Sequence, residues 1–429
     1  MSEKRYDYLV LGNSTAAIAA LEAIRDSDAE GSIAIVSEQP NHTYCSPLIT
    51  YVLGGKVPQE RINYRPLDFY EALRVDTYLG VECTEVRSAE HQVLLASGLV
   101  LGYGKLLIAV GGSPIIPDIP GVDLEGVFTF TRHEDMCRVR EFVKRRRVSG
   151  AVVVGGGMIG IKVAEALVSL GIETTIVELT DRVLGQALDE AGSQMARRAL
   201  EEHGIRVITG AAATSVGGAD GHAQSVTLES GSRIPAEIVI MAVGVRPNRR
   251  LAEQAGLAVN RGVLVDDHMR TSEPDIFAAG DVAEGFDPLL GEPRPVAIWP
   301  NAAMQGEVAG ANMAGLDIAH RGSIAMNSIQ VCGLPTISVG LVSPPDEVQT
   351  LQYRSADGKA YRRIFISEGR IVGAVFVGDI DRAGIITGLI RQGIDVSGFE
   401  QKLIERDLGL LSLPKQYRKH IVSGPGIEV

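Results

Sequence analysis

The sequence is poor in cysteine, and its cysteines lie far apart. Cys45, Cys83, Cys137 and Cys332 are the only four, and none of them forms a C-x-x-C pair. A zinc site or a cysteine-held iron–sulfur cluster needs thiolates at short, repeated spacings, so we expect no metal site in this chain. So few cysteines in a long chain also favour a reducing compartment.

Positive charge and long apolar runs are also scarce. There are 41 Lys and Arg residues against 53 Asp and Glu residues, which gives a net charge of −12. We therefore expect neither a nucleic acid nor a membrane as a partner. No apolar signal region precedes the first predicted strand, and the most apolar stretch, 151–172, is interrupted by Lys162, Glu165 and several glycines. We expect no membrane span and a cytoplasmic location.

Glycine is abundant, at 49 of 429 residues, and two glycine-containing segments share one pattern. Each begins with a short apolar strand, turns sharply, continues as a helical pattern and a second strand, and then reaches an acidic residue. The first copy comprises a strand at 6–11, a turn at 12–17, a helix at 18–25, a strand at 32–36 and Glu38. The second comprises a strand at 151–154, a turn at 155–160, a helix ending at 170, a strand at 174–177 and Glu178.

This pattern is typical of dinucleotide-binding units. The first glycine permits the tight turn, the second lets the backbone approach a pyrophosphate, and the third lets the helix pack against the strand. The acidic residue accepts hydrogen bonds from ribose hydroxyls. Ser14 and Ala17 replace two glycines in the first copy, and both are small enough to preserve the prediction. Glu178 repels a 2′-phosphate, which favours NADH over NADPH.

Four further stretches make the chain resemble the FAD-dependent pyridine nucleotide–disulfide oxidoreductase superfamily. They are residues 103–114, 240–248, 271–281 and 299–306. The resemblance implies an α/β fold with two Rossmann-like dinucleotide-binding domains, an FAD domain interrupted by an NAD domain, and a C-terminal α+β interface domain. The implied boundaries are 1–120 and 246–325 for the FAD domain, 121–245 for the NAD domain, and 326–429 for the C-terminal domain.

The resemblance also implies which residues hold FAD and NAD(H). Asp281 would bind the ribityl chain of FAD, Glu38 its adenosine ribose, and Arg132 would contact FAD from a connecting segment. The remaining FAD residues would be Gly12, Ser14, Thr15, Ala16, Ala17, Ser46, Pro47, Cys83, Ala109, Gly111, Gly280, Trp299 and Ala303. Those for NAD(H) would be Gly155, Gly157, Met158, Ile159, Gly160, Glu178 and Gly244, the last where nicotinamide meets flavin.

Two positions depart from the disulfide reductases of this superfamily. Those enzymes carry C-x-x-x-x-C after the FAD ribose acid, whereas this chain has only Cys45 there. Cys45 lies near the single redox cysteine of NADH oxidases, NADH peroxidases and coenzyme A disulfide reductases, and is either a redox thiolate or a packing residue. Lys162 replaces a glutamate of the NADH helix. A cation there would stabilise the anionic reduced flavin, and a surface lysine is the other interpretation.

Residues 44–55 and 361–388 resemble rubredoxin-reductase-like flavoproteins and the FAD subunits of tungsten aldehyde oxidoreductase and phenylglyoxylate dehydrogenase complexes. We therefore expect an FAD enzyme that passes electrons between NAD(H) and an iron–sulfur or rubredoxin-type partner, alone or as a subunit of a larger complex. The alternative is an NADH oxidase, peroxidase or CoA-disulfide reductase that uses Cys45. A third hypothesis is a structural or NADH-sensing subunit. The superfamily also makes a homodimer an option.

Overall fold

The first nucleotide unit and the strands that follow it form one sheet. The computed structural model describes residues 4–345, 347–405, 408–409 and 412–414. The elements up to residue 114 are β1 (Lys4–Leu11), α1 (Thr15–Ser27), β2 (Ile33–Ser37), α2 (Ile49–Leu53), α3 (Phe69–Ala72), β3 (Val75–Leu79), β4 (Cys83–Arg87), β5 (Gln92–Leu95), β6 (Val100–Ile108) and β7 (Gly112–Pro114). Short 3₁₀ segments occupy Ser46–Leu48 and Gln59–Arg61.

The strand order of this sheet is β3-β2-β1-β6-β5-β4. Strands β1, β2, β3 and β6 run parallel, whereas β5 pairs antiparallel with both β4 and β6. All five residues of β2 are buried, because a parallel strand covered on both faces needs a continuous apolar run. The parallel order brings the carboxyl ends of β1 and β2, with their turn and acid, to one edge of the sheet.

The second nucleotide unit forms a separate parallel sheet of order β11-β10-β9-β15-β8. A small antiparallel sheet of order β12-β13-β14 lies next to it in the chain. The elements are β8 (Val127–Thr129), α4 (His133–Arg145), β9 (Gly150–Val154), α5 (Met158–Ser169), β10 (Glu173–Val177), α6 (Glu190–Glu202), β11 (Arg206–Ile208), β12 (Ala213–Ala219), β13 (His222–Leu228), β14 (Arg233–Pro235) and β15 (Ile238–Met241).

The chain then returns to the first sheet. The elements are β16 (Val245–Pro247), α7 (Arg250–Gln254), β17 (Val263–Leu264), β18 (Ile276–Ala278), β19 (Ala283–Asp287), β20 (Glu292–Arg294) and α8 (Trp299–Met313). Strand β16 pairs with β7, and β18 joins the first sheet parallel to β6. Helix α8 lies directly on α1. A Cβ atom at Gly306 would sit 2.1 Å from the Ala16 carbonyl oxygen, so only glycine permits this approach.

The C-terminal part forms an antiparallel sheet of order β21-β22-β25-β24-β23 with a helix on one face. The elements are β21 (Met326–Val331), β22 (Leu334–Gly340), β23 (Gln349–Arg354), β24 (Tyr361–Ser367), β25 (Arg370–Val377), α9 (Ala383–Arg391) and a 3₁₀ segment at Glu400–Ile404. The predicted α/β fold class is thus confirmed.

A buried carboxylate joins the NAD-type sheet to the C-terminal sheet. Asp189 is 3% exposed and begins α6 by accepting the Gly192 N–H at 3.0 Å. It also accepts the Tyr361 hydroxyl at 2.5 Å and the Arg363 guanidinium at 3.0 Å, both from β24. One carboxylate thus accepts hydrogen bonds from the first turn of α6 and from two side chains of the C-terminal sheet, and this fixes the two sheets to each other. The domain boundaries given above stay predictions.

Candidate active site

A cavity of about 870 Å³ opens between the two nucleotide units and the C-terminal sheet. One end is lined by residues that follow β2 and β3 and by α7, including Glu38, Glu82, Cys83 and Arg250. The middle is lined by the start of α1 and by Gly280 and Asp281, which follow β18. The other end is lined by α2, α5, α8 and β21, including Tyr51, Lys162, Trp299 and Gln330. We call these regions the adenosine end, the middle and the ring end, after the parts of FAD that the sequence predicts for them.

The turn of the first unit is shaped for a pyrophosphate. Gly12 has φ +112°, and a Cβ atom there would lie 2.1 Å from the Ala109 carbonyl oxygen, so this position requires glycine. Ser14 precedes α1, and its hydroxyl makes no cap hydrogen bond. The first backbone N–H groups of α1 therefore open towards the cavity, where an anion is stabilised.

The turn of the second unit has the same construction. Gly155 has φ +113°, and a Cβ atom there would lie 2.2 Å from the Ala242 carbonyl oxygen. Gly160 packs against the turn itself, since its Cβ would meet the Gly155 carbonyl oxygen at 2.1 Å. Gly157 differs from both, because nothing lies within 4 Å of a Cβ built there. That open space before α5 is where a phosphate would approach the backbone.

Asp281 supports the assignment of FAD to the cavity. It lines the middle, and no hydrogen bond to its carboxylate occurs among the described residues. Burial raises the pKa of this carboxyl, because the charged form loses solvation without gaining a partner. A carboxylate that accepts no bond and faces a cavity fits the hydroxyl groups of a ribityl chain, which are hydrogen-bond donors.

Glu38 and Arg132 lie together, as the resemblance implied. One carboxylate oxygen of Glu38 is 2.6 Å from the Arg132 guanidinium, and both residues line the cavity. Arg132 directly precedes α4 and thus brings a cation from the connecting segment to the end of β2. The pair leaves the second Glu38 oxygen available for a ribose hydroxyl and leaves guanidinium N–H groups for a phosphate.

Glu178 ties the end of β10 to the second glycine turn. It accepts the Gly156 N–H at 2.6 Å through one oxygen, and the Thr180 N–H and hydroxyl at 2.8 Å and 2.7 Å through the other. The carboxylate is therefore held beside the turn. The next residue, Leu179, is a large apolar side chain that is 69% exposed.

The two nucleotide units meet at the ring end. Met158 and Ile159, in the first turn of α5, line the same cavity as the FAD residues. Their side chains are 37% and 38% exposed, which are high fractions for large apolar residues in a helix whose other apolar residues are mostly buried. Gly244 has φ +127°, and its carbonyl accepts the Ile115 N–H at 2.9 Å. Gly244 itself does not line the cavity, whereas Val245 does.

The other predicted FAD residues divide into two groups. Those that line the cavity are Thr15, Ala16, Ser46, Pro47, Cys83, Ala109, Gly111, Gly280 and Trp299. Those that do not are Ala17 and Ala303, and the candidate redox cysteine Cys45 does not line the cavity either. Ala17 is fully buried in α1, so it serves the close packing of helix and strand. Trp299 packs edge-on against Tyr64, with ring centroids 5.2 Å apart, at the start of α8.

The two cysteines near the cavity, Cys45 and Cys83, are both shifted away from the thiolate form by burial. Burial raises the pKa of the Cys45 thiol, and its backbone N–H is bound to the Ile62 carbonyl. Burial likewise raises the pKa of Cys83, to about 12, at the adenosine end. A redox thiolate needs the opposite shift, towards a lower pKa.

Lys162 lines the ring end, and its side chain is 16% exposed, which argues against a surface lysine. Its ammonium donates to the Glu165 carboxylate at 2.6 Å and to the Gln330 carbonyl at 3.1 Å.

Several lining residues could not be found from local motifs. Tyr51, Asn248, Arg250 and Gln330 come from three separate segments. Asn248 donates to the Val110 carbonyl at 2.9 Å and accepts the Ser113 hydroxyl at 2.7 Å, which ties β16 to β7 beside the cavity. The only sequence signal for Asn248 was its place in the return stretch 240–248.

Comparison with known proteins agrees with this geometry. Residues 6–306 match the family "Pyridine nucleotide-disulphide oxidoreductase". The chain belongs to this family. Residues 326–394 match the "Rubredoxin NAD+ reductase C-terminal domain". These matches confirm the resemblance, the enzyme class and the cofactors FAD and NAD(H): the chain is an NAD(P)H-dependent FAD oxidoreductase.

Individual relatives extend over most of the chain. It is 31% identical over 410 residues to the NADH-dependent phenylglyoxylate dehydrogenase subunit epsilon of Aromatoleum evansii, with 94% of this chain and 96% of that protein covered. It is 30% identical over 308 residues to the rubredoxin-NAD(+) reductase of Pseudomonas putida, covering 72% and 80%. The solved NADH:rubredoxin oxidoreductase of Clostridium acetobutylicum superposes with a TM-score of 0.76 at 26% identity, covering 93% and 99%. The chain spans about half the length of some other relatives.

No helix in the described ranges has both the length and the apolar character needed to cross a membrane.

Proposed function

We propose that this chain passes electrons between NAD(H) and an iron–sulfur or rubredoxin-type protein through FAD alone, without a thiol intermediate. The observation that carries the proposal is the ring end of the cavity. There α5 of the NAD unit and α8 of the FAD unit both line the cavity, whereas Cys45 does not line it and its thiol has a raised pKa. The relative named rubredoxin-NAD(+) reductase and the match to the rubredoxin NAD+ reductase C-terminal domain support this type of partner.

The protein's share of the reaction is binding, orientation and charge. Bound FAD takes up two electrons from NADH as a hydride and can release them one at a time. The glycine turns would bring backbone N–H groups to the two pyrophosphates, while Asp281 and Glu38 would hold FAD along the cavity. Met158 and Ile159 would give the nicotinamide an apolar surface and exclude water from the ring end.

The experiment compares Cys45→Ser with the unaltered protein in NADH-dependent reduction of a rubredoxin. Cys137→Ser is the matched control, because Cys137 is also half-buried but lies on α4 outside the cavity. We expect both variants to reduce the flavin and the rubredoxin at rates within twofold of the unaltered protein. Loss of turnover in Cys45→Ser alone, with flavin reduction by NADH intact, would contradict the proposal.

That outcome would establish the oxidase, peroxidase or CoA-disulfide reductase alternative, whose turnover requires the Cys45 thiolate. Because burial raises the pKa of Cys45, such turnover would increase with pH through the alkaline range. Flavin-only transfer has no such requirement. Membership of a larger complex, the predicted homodimer and the cytoplasmic location are further proposals that this experiment does not address.

A further inference from the structure

Lys162 occupies a position that three parts of the molecule define together. It lies on α5 of the NAD unit, and its ammonium is 5.1 Å from the ring centroid of Tyr51 on α2 of the FAD unit. The same ammonium donates to the Gln330 carbonyl on β21 of the C-terminal sheet, at 3.1 Å. A long, flexible side chain contacted from three elements loses its freedom to extend into solvent.

The counter-charge lies behind Lys162, away from the cavity. The Glu165 carboxylate is 2.6 Å from the ammonium, and Glu165 is buried in α5 without lining the cavity. Its second oxygen accepts the Cys332 N–H at 2.9 Å, from the turn that follows β21. Because the carboxylate is fixed by this turn, the ion pair is oriented with its positive side at the cavity wall.

Among the described residues, Lys162 is the only charged side chain that lines the ring end of the cavity. The remaining charged side chains that line the cavity are Glu38, Glu82, Arg132, Arg250 and Asp281. The Glu38–Arg132 and Glu82–Arg250 pairs lie towards the adenosine end, and Asp281 lies in the middle. A single fixed cation in a partly enclosed cavity acts strongly on charge that develops nearby, because little solvent screens it.

We propose that Lys162, fixed by Glu165 and by the Gln330 carbonyl, favours the reduced state of the flavin electrostatically. This rests on the proposed function only in placing the flavin ring at the ring end. Reduction adds negative charge to a flavin, and a cation at the cavity wall stabilises that charge relative to the neutral oxidised ring. The C-terminal sheet would thus contribute to the redox properties of the site through Gln330 and Cys332, in addition to any role in assembly.

The test is a redox titration of the FAD-loaded protein with dyes and dithionite, followed by the flavin spectrum. Lys162→Met removes the charge and keeps an unbranched apolar side chain, whereas Lys162→Arg keeps the charge. At a fixed potential we expect Lys162→Met to lower the ratio of reduced to oxidised flavin at least tenfold, which is about 30 mV for a two-electron couple. Lys162→Arg should stay within threefold of the unaltered protein.

Two further variants separate charge from structure. Glu165→Gln removes the counter-charge, so the ratio of reduced to oxidised flavin should rise rather than fall. Lys162→Met alone leaves the buried Glu165 carboxylate without its partner, which could prevent folding. The double variant Lys162→Met, Glu165→Gln removes both charges and replaces the single variant in that case. Its ratio should lie below that of Glu165→Gln. FAD content per chain, measured first, confirms that each variant is loaded.

Equal shifts in the Met and Arg variants, or a Met variant within twofold of the unaltered protein, would overturn the inference. The titration uses dithionite rather than NADH. If NADH cannot reduce the flavin but the ratio of reduced to oxidised flavin still depends on the charge of Lys162, the proposed function is contradicted and the inference stands.

Discussion

Replacing Asp281 by asparagine should weaken FAD binding and stabilise the FAD-free protein. Burial raises the pKa of Asp281 in the absence of a partner, so the FAD-free fold binds a proton at this group more readily than the unfolded chain does. The stability of the FAD-free protein must therefore fall as the pH rises from the ordinary range of aspartate through the raised pKa. Asparagine cannot ionise, so Asp281→Asn removes this loss at neutral pH.

The magnitude for the loaded protein follows from the hydrogen bonds. A hydrogen bond from a hydroxyl to a charged carboxylate stabilises the complex by about 1.5–3 kcal/mol. The amide oxygen of asparagine is uncharged and retains only part of this free energy. A loss of about 2 kcal/mol corresponds to about thirtyfold weaker FAD binding. Isothermal titration of FAD into the FAD-free protein measures the affinity, and urea unfolding of the same preparation at neutral pH measures the free energy of unfolding.

Asp26→Asn is the control, because Asp26 is an exposed aspartate on α1 that lies outside the cavity. It should change neither quantity. The reasoning would be refuted by an Asp281→Asn variant that binds FAD as tightly as the unaltered protein. It would equally be refuted by one whose FAD-free form is less stable at neutral pH, since the carboxylate would then have a stabilising partner.

Two further substitutions test the turn geometry and the inter-sheet contact. Gly157→Ala should weaken NADH binding tenfold or more in a fluorescence titration while changing the unfolding free energy by only about 0.5 kcal/mol, because the new Cβ meets open space. Gly155→Ala, the comparison, should destabilise the fold by several times that amount, since its Cβ would overlap the Ala242 carbonyl at a positive φ. Equal stability losses would contradict this distinction. Tyr361→Phe removes a hydroxyl donor from the buried Asp189 and should reduce the unfolding free energy by about 1–2 kcal/mol, whereas Tyr353→Phe on β23 should have little effect. An unchanged free energy of unfolding in Tyr361→Phe would show that the Tyr361–Asp189 hydrogen bond does not stabilise the contact between the sheets.

The nucleotide units were predictable because their determinants are local. A glycine that needs a positive φ, such as Gly12 or Gly155, and an acid after the second strand are set within one β–α–β unit. This held even for the first turn, where Ser14 and Ala17 replace glycine. The size of a residue and its backbone angles decide such a turn, and both can be read from consecutive residues.

The ring end was not predictable in the same way. Tyr51, Lys162 and Gln330 are separated by more than a hundred residues at each step and meet only when the C-terminal sheet packs on α5. The sequence indicated that Lys162 replaces a glutamate, but no local pattern indicates what its ammonium contacts. The position of Cys45 is a similar case. Its neighbours Ser46 and Pro47 line the cavity as part of the 3₁₀ segment Ser46–Leu48, whereas Cys45 precedes that segment and does not. A shift of one residue in the sequence comparison therefore changes which side chain is placed at the cavity.

Electron transfer through FAD without a thiol intermediate is tested most directly by an anaerobic titration of the oxidised protein with NADH. The flavin spectrum gives the number of NADH molecules consumed per FAD. We predict complete flavin reduction at about one NADH per FAD, because two electrons fill the flavin and no thiol accepts any. Consumption of about two NADH per FAD, with a long-wavelength thiolate-to-flavin band after the first, would contradict it and make Cys45 a redox partner of the flavin.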